Sequence, residues 1–294
     1  MGSKPTFEDW FNLYEQAVAF KQLAPWRWML DSQVFAVQDP ASGAMGYCVV
    51  MGALGEMFAL GVYRGQRGLR SLLEIQTGQA DADAAMLSQD CLMASFEDRS
   101  ALGQPDLKVV RELGYRFRGR NEWPLFRSYV PNYAPWYLEQ DEARFLAAAL
   151  EQGAVVANSV LKDPNHLRGA LAAAVLTRRQ DAKGGWAEDW VVPEAAGGGV
   201  EAPPVDEVRL QRLRRASKPV SGPWELHRTP LPGIIEDGGR PYYIQAVLCM
   251  DLTQGVILGF ELVKPDQGAG GAGDALLGII EKHGVYPTTS NSDG

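Results

Sequence analysis

Cysteine is scarce in this 294-residue chain: Cys48, Cys91 and Cys249 are the only three. They are odd in number and widely spaced, which excludes a disulfide framework and a zinc knuckle and leaves them as small buried thiols. Histidine is as sparse. His166, His227 and His283 lie far apart, and none has a ligand-type neighbour at the short spacing a local metal motif needs. No metal and no other cofactor is expected. Long apolar runs are missing too, since "AVLCM" and "LAAAVL" fall far short of the roughly 20 residues of a membrane span. The first residues carry acids in place of an apolar signal core, so no membrane partner is expected and the chain is placed in the cytoplasm. Positive charge is not in excess: 28 Lys and Arg stand against 36 acids, a formal charge of -8 that repels duplex nucleic acid overall. There is no internal repeat, no G-x-S-x-G nucleophile elbow and no phosphate loop ending in Lys-Ser or Lys-Thr.

What is present is an ordinary globular composition, 46% hydrophobic and 22% charged. At about 150 residues per domain the length predicts two units. "PEAAGGGVEAPP" (Pro193 to Pro204) is rich in Gly, Ala and Pro without periodicity, which is the composition of a linker. The expected organisation is a domain over 1–193, a linker over 194–204 and a second domain over 205–294, both of α+β class.

In the first domain "TFEDWFNLYEQAVAFKQL" offers Thr6 as N-cap with Asp9 three residues on, and a stripe of Phe7, Trp10, Phe11, Tyr14 and Val18 predicts an amphipathic helix. Turn-rich breaks at "DPASG", "GALGE" and "GQRG" divide residues 32–68 into a three-stranded antiparallel meander. Further helices are predicted near 69–75 and 106–113, and over "DEARFLAAALEQG" with Gly153 as its C-cap. "EWPLFRSYVPNYAPWYL" cannot be continuous helix, because Pro124, Pro131 and Pro135 each remove a donor. It reads as an irregular aromatic strap, and Trp123, Tyr129, Tyr133 and Trp136 form a candidate binding surface.

The second domain begins with "RLQRLRR", where Arg209, Arg212 and Arg215 share a helical face opposite Val208 and Leu213. These arginines are a second candidate binding surface, although such runs are commonly solvated helix faces. Strands are predicted over 223–229, 242–250, 256–263 and 285–289, with a helix over 274–283. "GAGGAG" (Gly268 to Gly273) satisfies G-x-G-x-x-G, but Pro265 to Gln267 separate it from the strand, so it reads as a flexible loop. Adjacent acid pairs such as Glu97/Asp98 and Glu188/Asp189 point to different sides and make no general acid–base dyad.

Two resemblances add to this. "SQVFAVQDPASGAMGYCVVMG", "MFALGVYRG" and "LFRSYVPNYAPW" resemble a family of bacterial proteins known only as domains of unknown function. The second half resembles the integrase-type RNase H-like core of transposases: "WELHRT" stands for the first strand, "AVLCMDLTQGVILGF" for the hairpin, "DALLGIIEKHG" for the helix and "YPTTSNSDG" for the next strand. That resemblance implies a parallel pairing of "WELHRT" with "VYPTTSNSD". It also implies that His227 occupies the position of the first metal-binding aspartate, that Asp251 corresponds to a hairpin acid that is not a ligand, and that Asp293 matches the second catalytic aspartate. His227, Asp251 and Asp293 are therefore a candidate degenerate site. The chain ends before the helix that would bring a third carboxylate, and two-metal chemistry needs several converging oxygen ligands. The expected function is a non-catalytic binding or interaction module with a protein or nucleic-acid partner. The alternative is a metal-dependent nucleic-acid-processing enzyme or its inactive remnant.

Overall fold

The computed structural model describes residues 2–78, 85, 87–167, 174–181, 183–193 and 206–292. The expected linker over 194–204 lies outside them. The chain forms two compact units, Met1–Val130 with Pro135–Gly198, and Pro131–Ala134 with Gly199–Gly294. Both are α+β.

In the first unit the helices are α1 (Phe7–Leu23), α2 (Gly65–Thr77), α3 (Gln104–Glu112) and α4 (Gln140–Lys162), and the strands are β1 (Val34–Gln38), β2 (Met45–Met51), β3 (Phe58–Arg64), β4 (Cys91–Glu97), β5 (Trp123–Tyr129), β6 (Val175–Gln180) and β7 (Trp186–Val191). They make a seven-stranded sheet in the order β5-β4-β3-β2-β1-β6-β7. The expected three-stranded meander therefore extends through β4 and β5, and β6 joins β1 in parallel. Alternate residues serve two cores. Phe35, Val37, Cys48, Val50, Leu60, Val62, Leu92 and Phe96 pack under α1 and α4, while Ala36, Tyr47, Val49, Ala59, Tyr63 and Met93 pack with Leu69 and Leu72 of α2.

Three sequence expectations give way to packing here. The buried stripe of α1 is Asp9, Leu13, Tyr14, Ala17 and Phe20, whereas Phe7 and Phe11 are exposed and stack on each other. The helix is turned toward Asp9, whose carboxylate accepts from Thr6, Gln140 and Arg144. Gly153 is not a C-cap. It lies inside the 23-residue α4, where a Cβ would sit 3.3 Å from Phe20 and 3.4 Å from Phe35, so its small size lets α4 approach the sheet. The aromatic strap begins as a regular strand, β5, which tolerates Pro124 because it is an edge.

Asp9 carries the first testable consequence. Burial alone would raise its pKa, but hydrogen bonds from the Thr6 side chain, Arg144, the Thr6 backbone and Gln140 outweigh it and hold the carboxyl far below its usual range. A depressed folded-state pKa stabilises above the unfolded value of about 3.9, and that stabilisation is lost as pH falls. Asp9→Asn is thus expected to cost about 1–3 kcal/mol at neutral pH, and urea titrations of variant and parent should converge toward pH ~2. Parallel stability curves across that range would remove the charge from the account.

In the second unit α5 (Glu207–Ala216) is followed by β8 (Lys218–Ile235), β9 (Tyr242–Asp251), β10 (Val256–Val263), α6 (Gly268–His283) and β11 (Val285–Ser292). The sheet order is β10-β9-β8-β11. β8, β9 and β10 are antiparallel, and β11 runs parallel to β8 with Ser290 opposite Trp224 and Ser292 opposite Leu226. The expected parallel pairing of these two segments is present. β8 is longer than its predicted 223–229.

The glycine run is helix, not loop: Gly268 to Gly273 form the first turns of α6, after a 3₁₀ turn at Pro265–Gln267. Each interior glycine costs a helix about 1 kcal/mol against alanine, but close packing decides. A Cβ on Gly271 would meet the Gln267 Cβ at 2.9 Å and the Val263 Cβ at 3.4 Å, and Ala272 and Ala275 pack on Val247 and Val263. With the glycines in a helix, the tight strand-to-helix turn of a dinucleotide fingerprint is gone. One side of this sheet, with Trp224, Leu226, Val247 and Cys249, packs with α5 and α6. On the other, Ile257, Phe260 and Leu262 are 65%, 64% and 55% exposed.

Candidate functional site

The pairing register decides the geometry around β8. Trp224 lies opposite Asp251 and His227 opposite Leu248, with no irregularity between. Positions three apart on a strand face opposite sides. Asp251 therefore shares the helix-covered side with Trp224, while His227 is exposed on the other. Asp251 is buried and engaged: its Oδ1 accepts from the backbone of Thr253 at 2.8 Å and of Gln254 at 3.0 Å, and its carbonyl accepts from Gly255 at 2.8 Å. This is an aspartate shaping the β9–β10 turn. The sheet does not bring His227 and Asp251 together. Asp293 lies outside the described residues. Next to His227, Arg228 points under the helices. Its Nε has no hydrogen-bond partner among the described residues, and burial lowers its pKa.

The basic helix face also divides. Arg209 donates to Glu281 through Nε at 3.2 Å and Nη2 at 2.9 Å, and through Nη1 to Asp274 at 3.4 Å, so it fastens α5 to α6. These hydrogen bonds hold Glu281 below its ordinary pKa. Arg212 and Arg215 are exposed and line a shallow depression with Val208, Gln211 and Ala216. Val208, expected with Leu213 on the apolar side, is 71% exposed, and Leu210 takes its place in the core.

None of the strap aromatics is fully exposed. Trp123 packs against the larger core of the first unit and lies near the Arg99 guanidinium, and Tyr129 packs on the smaller core. Trp136 exchanges backbone hydrogen bonds with Ser128. Tyr133 belongs to the second unit, where it bridges to Tyr242 and lies under Arg240. The four are thus divided, three in the first unit and one in the second, and do not form one aromatic surface within either.

Sequence reasoning missed an ionic hub in the first unit. The Arg64 Nε donates to Asp90 at 2.7 Å, Nη1 to Glu142 at 2.5 Å and Nη2 to the Tyr129 carbonyl at 2.9 Å. Arg67 donates to the other Asp90 oxygen at 2.7 Å, and Ser128 to Glu142 at 2.7 Å. The hub joins the ends of β3, β4 and β5 to the start of α4. Asp90 and Glu142 lie 26 and 78 residues from Arg64, and no local pattern announces them. Each of the three guanidinium nitrogens of Arg64 is engaged in structure, so the hub is a brace and not a ligand site.

A family model for a domain of unknown function (DUF7309) matches residues 10–178, more than half of the chain. The chain belongs to this family. The DUF7309 match runs from α1 to β6 and so takes in both cores and the hub. A second model, also a domain of unknown function (DUF6930), matches residues 209–289, from α5 into β11. Neither description names an activity. Comparison with the curated proteins and with the solved structures gives no match. Among the described residues no helix is long and apolar enough to cross a membrane, and no group of three or more His, Cys, Asp or Glu is placed to hold a metal ion.

Proposed function

We propose that this DUF7309 protein is a non-catalytic binding or interaction module of the bacterial cytoplasm, its second unit an abbreviated RNase H-like sheet adapted to binding. The strand order β10-β9-β8-β11, with β11 parallel to β8 after a helix, supports the sheet reading. The observation that carries the non-catalytic reading is the surroundings of His227. Asp251 is on the opposite side of the sheet and engaged in a turn, and on that opposite side too is Arg228, the next residue, a cation that finds no acid for its Nε among the described residues. Magnesium needs several hard oxygen ligands in near-octahedral array, and an exposed imidazole with Asp251 turned to the other side of the sheet does not supply them. The three unpaired, buried thiols suit a reducing compartment. Exposed Arg212 and Arg215 are the residues we assign to contact with an acidic partner surface.

The expected result is that the purified chain neither cuts nor joins single- or double-stranded DNA or RNA with magnesium or manganese. Turnover that survives repurification and disappears in Asp293→Ala overturns the proposal in favour of a nucleic-acid-processing enzyme.

A further inference from the structure

Strand β10 is an edge of its sheet and pairs only with β9 among the described residues. An edge strand presents a row of unpaired donors and acceptors, and folded proteins blunt such rows with proline, charge or bulges. The other edges here follow that rule. β5 carries Pro124 and Arg127, β7 carries Glu188 and Asp189, and β11 carries Pro287. β10 reads "VILGFELV": Val256, Ile257, Phe260 and Leu262 are exposed, and its single charge is Glu261. It is blunted by a register shift between Ile257 and Gly259 and by the His283 Nε2 on the Leu258 carbonyl at 2.7 Å, which leave Gly259 to Val263 regular.

We propose that β10 pairs antiparallel with β10 of a second copy of this chain, joining two four-stranded sheets across a two-fold axis. The inference goes beyond the binding-module reading and rests on this edge alone, so an active enzyme would sink that reading and leave this one standing. A second copy fits because the strand is self-complementary. With the axis at Phe260, each Phe260 faces its counterpart and Glu261 falls opposite Gly259, so the only charge meets a residue without a side chain and no like charges are opposed. The apolar residues of the two copies then lie side by side, with the half-buried Leu248 and Met250 of β9 extending each patch. An isologous contact of this kind closes after two copies and does not propagate. Only Gly259 to Glu261 of each copy pair regular stretch with regular stretch, which falls well below the roughly 800 Å² per partner of a standard interface and points to a reversible dimer in the micromolar range.

Sedimentation velocity on the full chain from about 1 to 200 μM tests this. The expected result is a concentration-dependent shift from monomer to dimer. A Phe260→Lys/Leu262→Lys variant, which places cations on the edge, should keep its circular dichroism and raise Kd at least tenfold. A parent chain that stays monomeric throughout overturns the proposal and leaves the edge to a strand of another protein. A dimer that survives the double substitution unchanged also overturns it, because the contact then lies elsewhere.

Discussion

Gly68→Ala is expected to destabilise the first unit by about 3 kcal/mol or more, the upper range for overpacking a core. Gly68 is buried in the first turns of α2, where a Cβ would lie 2.6 Å from the Tyr63 carbonyl carbon, 2.7 Å from the Asp90 carbonyl oxygen and 3.1 Å from the Tyr63 Cα. All three are backbone atoms, so no side chain can rotate away. The helix must lift from β3 and β4 and carry Leu69 and Leu72, each 2% exposed, out of the core. Secondary-structure preference works the other way, since alanine favours a helix interior by about 1 kcal/mol over glycine.

Gly153→Ala is the internal control. It is the same exchange in another buried helical glycine, but its nearest contacts are 3.3 to 3.7 Å from the side chains of Phe20, Phe35 and Leu60. Those can give by tenths of an ångström, and the gain in helix preference offsets the crowding to within about 1 kcal/mol. Urea unfolding of both variants measures the difference. A Gly68→Ala protein as stable as Gly153→Ala would mean that α2 is not held against the sheet as closely as its backbone contacts indicate.

The contrast between these glycines shows what the sequence made legible. Periodicity located α1, α3 and the first meander, because those segments carry their own turn and cap chemistry: Thr6 with Asp9, "DPASG", and Gly114 after α3. Whatever rests on contact between distant segments was hidden. Gly153 looked like a helix end and Gly268 to Gly273 like a loop, since a glycine that frees the backbone and one that admits a neighbour are the same letter. The stripe of α1 was misplaced for a related reason. Phe7 and Phe11 are more apolar than Asp9, yet Arg144 and Gln140, more than 130 residues away, turn Asp9 inward. In the second unit the parallel pairing of β8 and β11 followed from a resemblance. The opposite orientation of His227 and Asp251 needed the register, which fixes sidedness and which no spacing between separate strands reveals.

The hub at Arg64 gives the second large effect. Arg64→Met is expected to cost about 3–4 kcal/mol, because breaking a buried ion pair from one side leaves the other charges uncompensated. The Asp90 side chain is 7% exposed and that of Glu142 18%, so neither acid recovers full hydration when the guanidinium is removed. Burial alone would lower the Arg64 pKa, but Asp90 and Glu142 raise it, so the cation is firmly held. Arg67, 71% exposed, stays on Asp90, while Ser128 and the Glu139 backbone stay on Glu142, which keeps the loss below the extreme for abandoned charges. Arg64→Lys should recover little, since one ammonium cannot reach Asp90, Glu142 and the Tyr129 carbonyl with the geometry of a planar fork. Adding Glu142→Gln to Arg64→Met should restore about 1–2 kcal/mol by neutralising one stranded charge, a gain that packing alone cannot produce. Urea unfolding of the three variants at neutral pH decides the matter: a loss below about 1 kcal/mol for Arg64→Met, the range of exposed ion pairs, or no recovery in the double variant, would mean that water replaces Arg64 and that the hub does not brace the sheet.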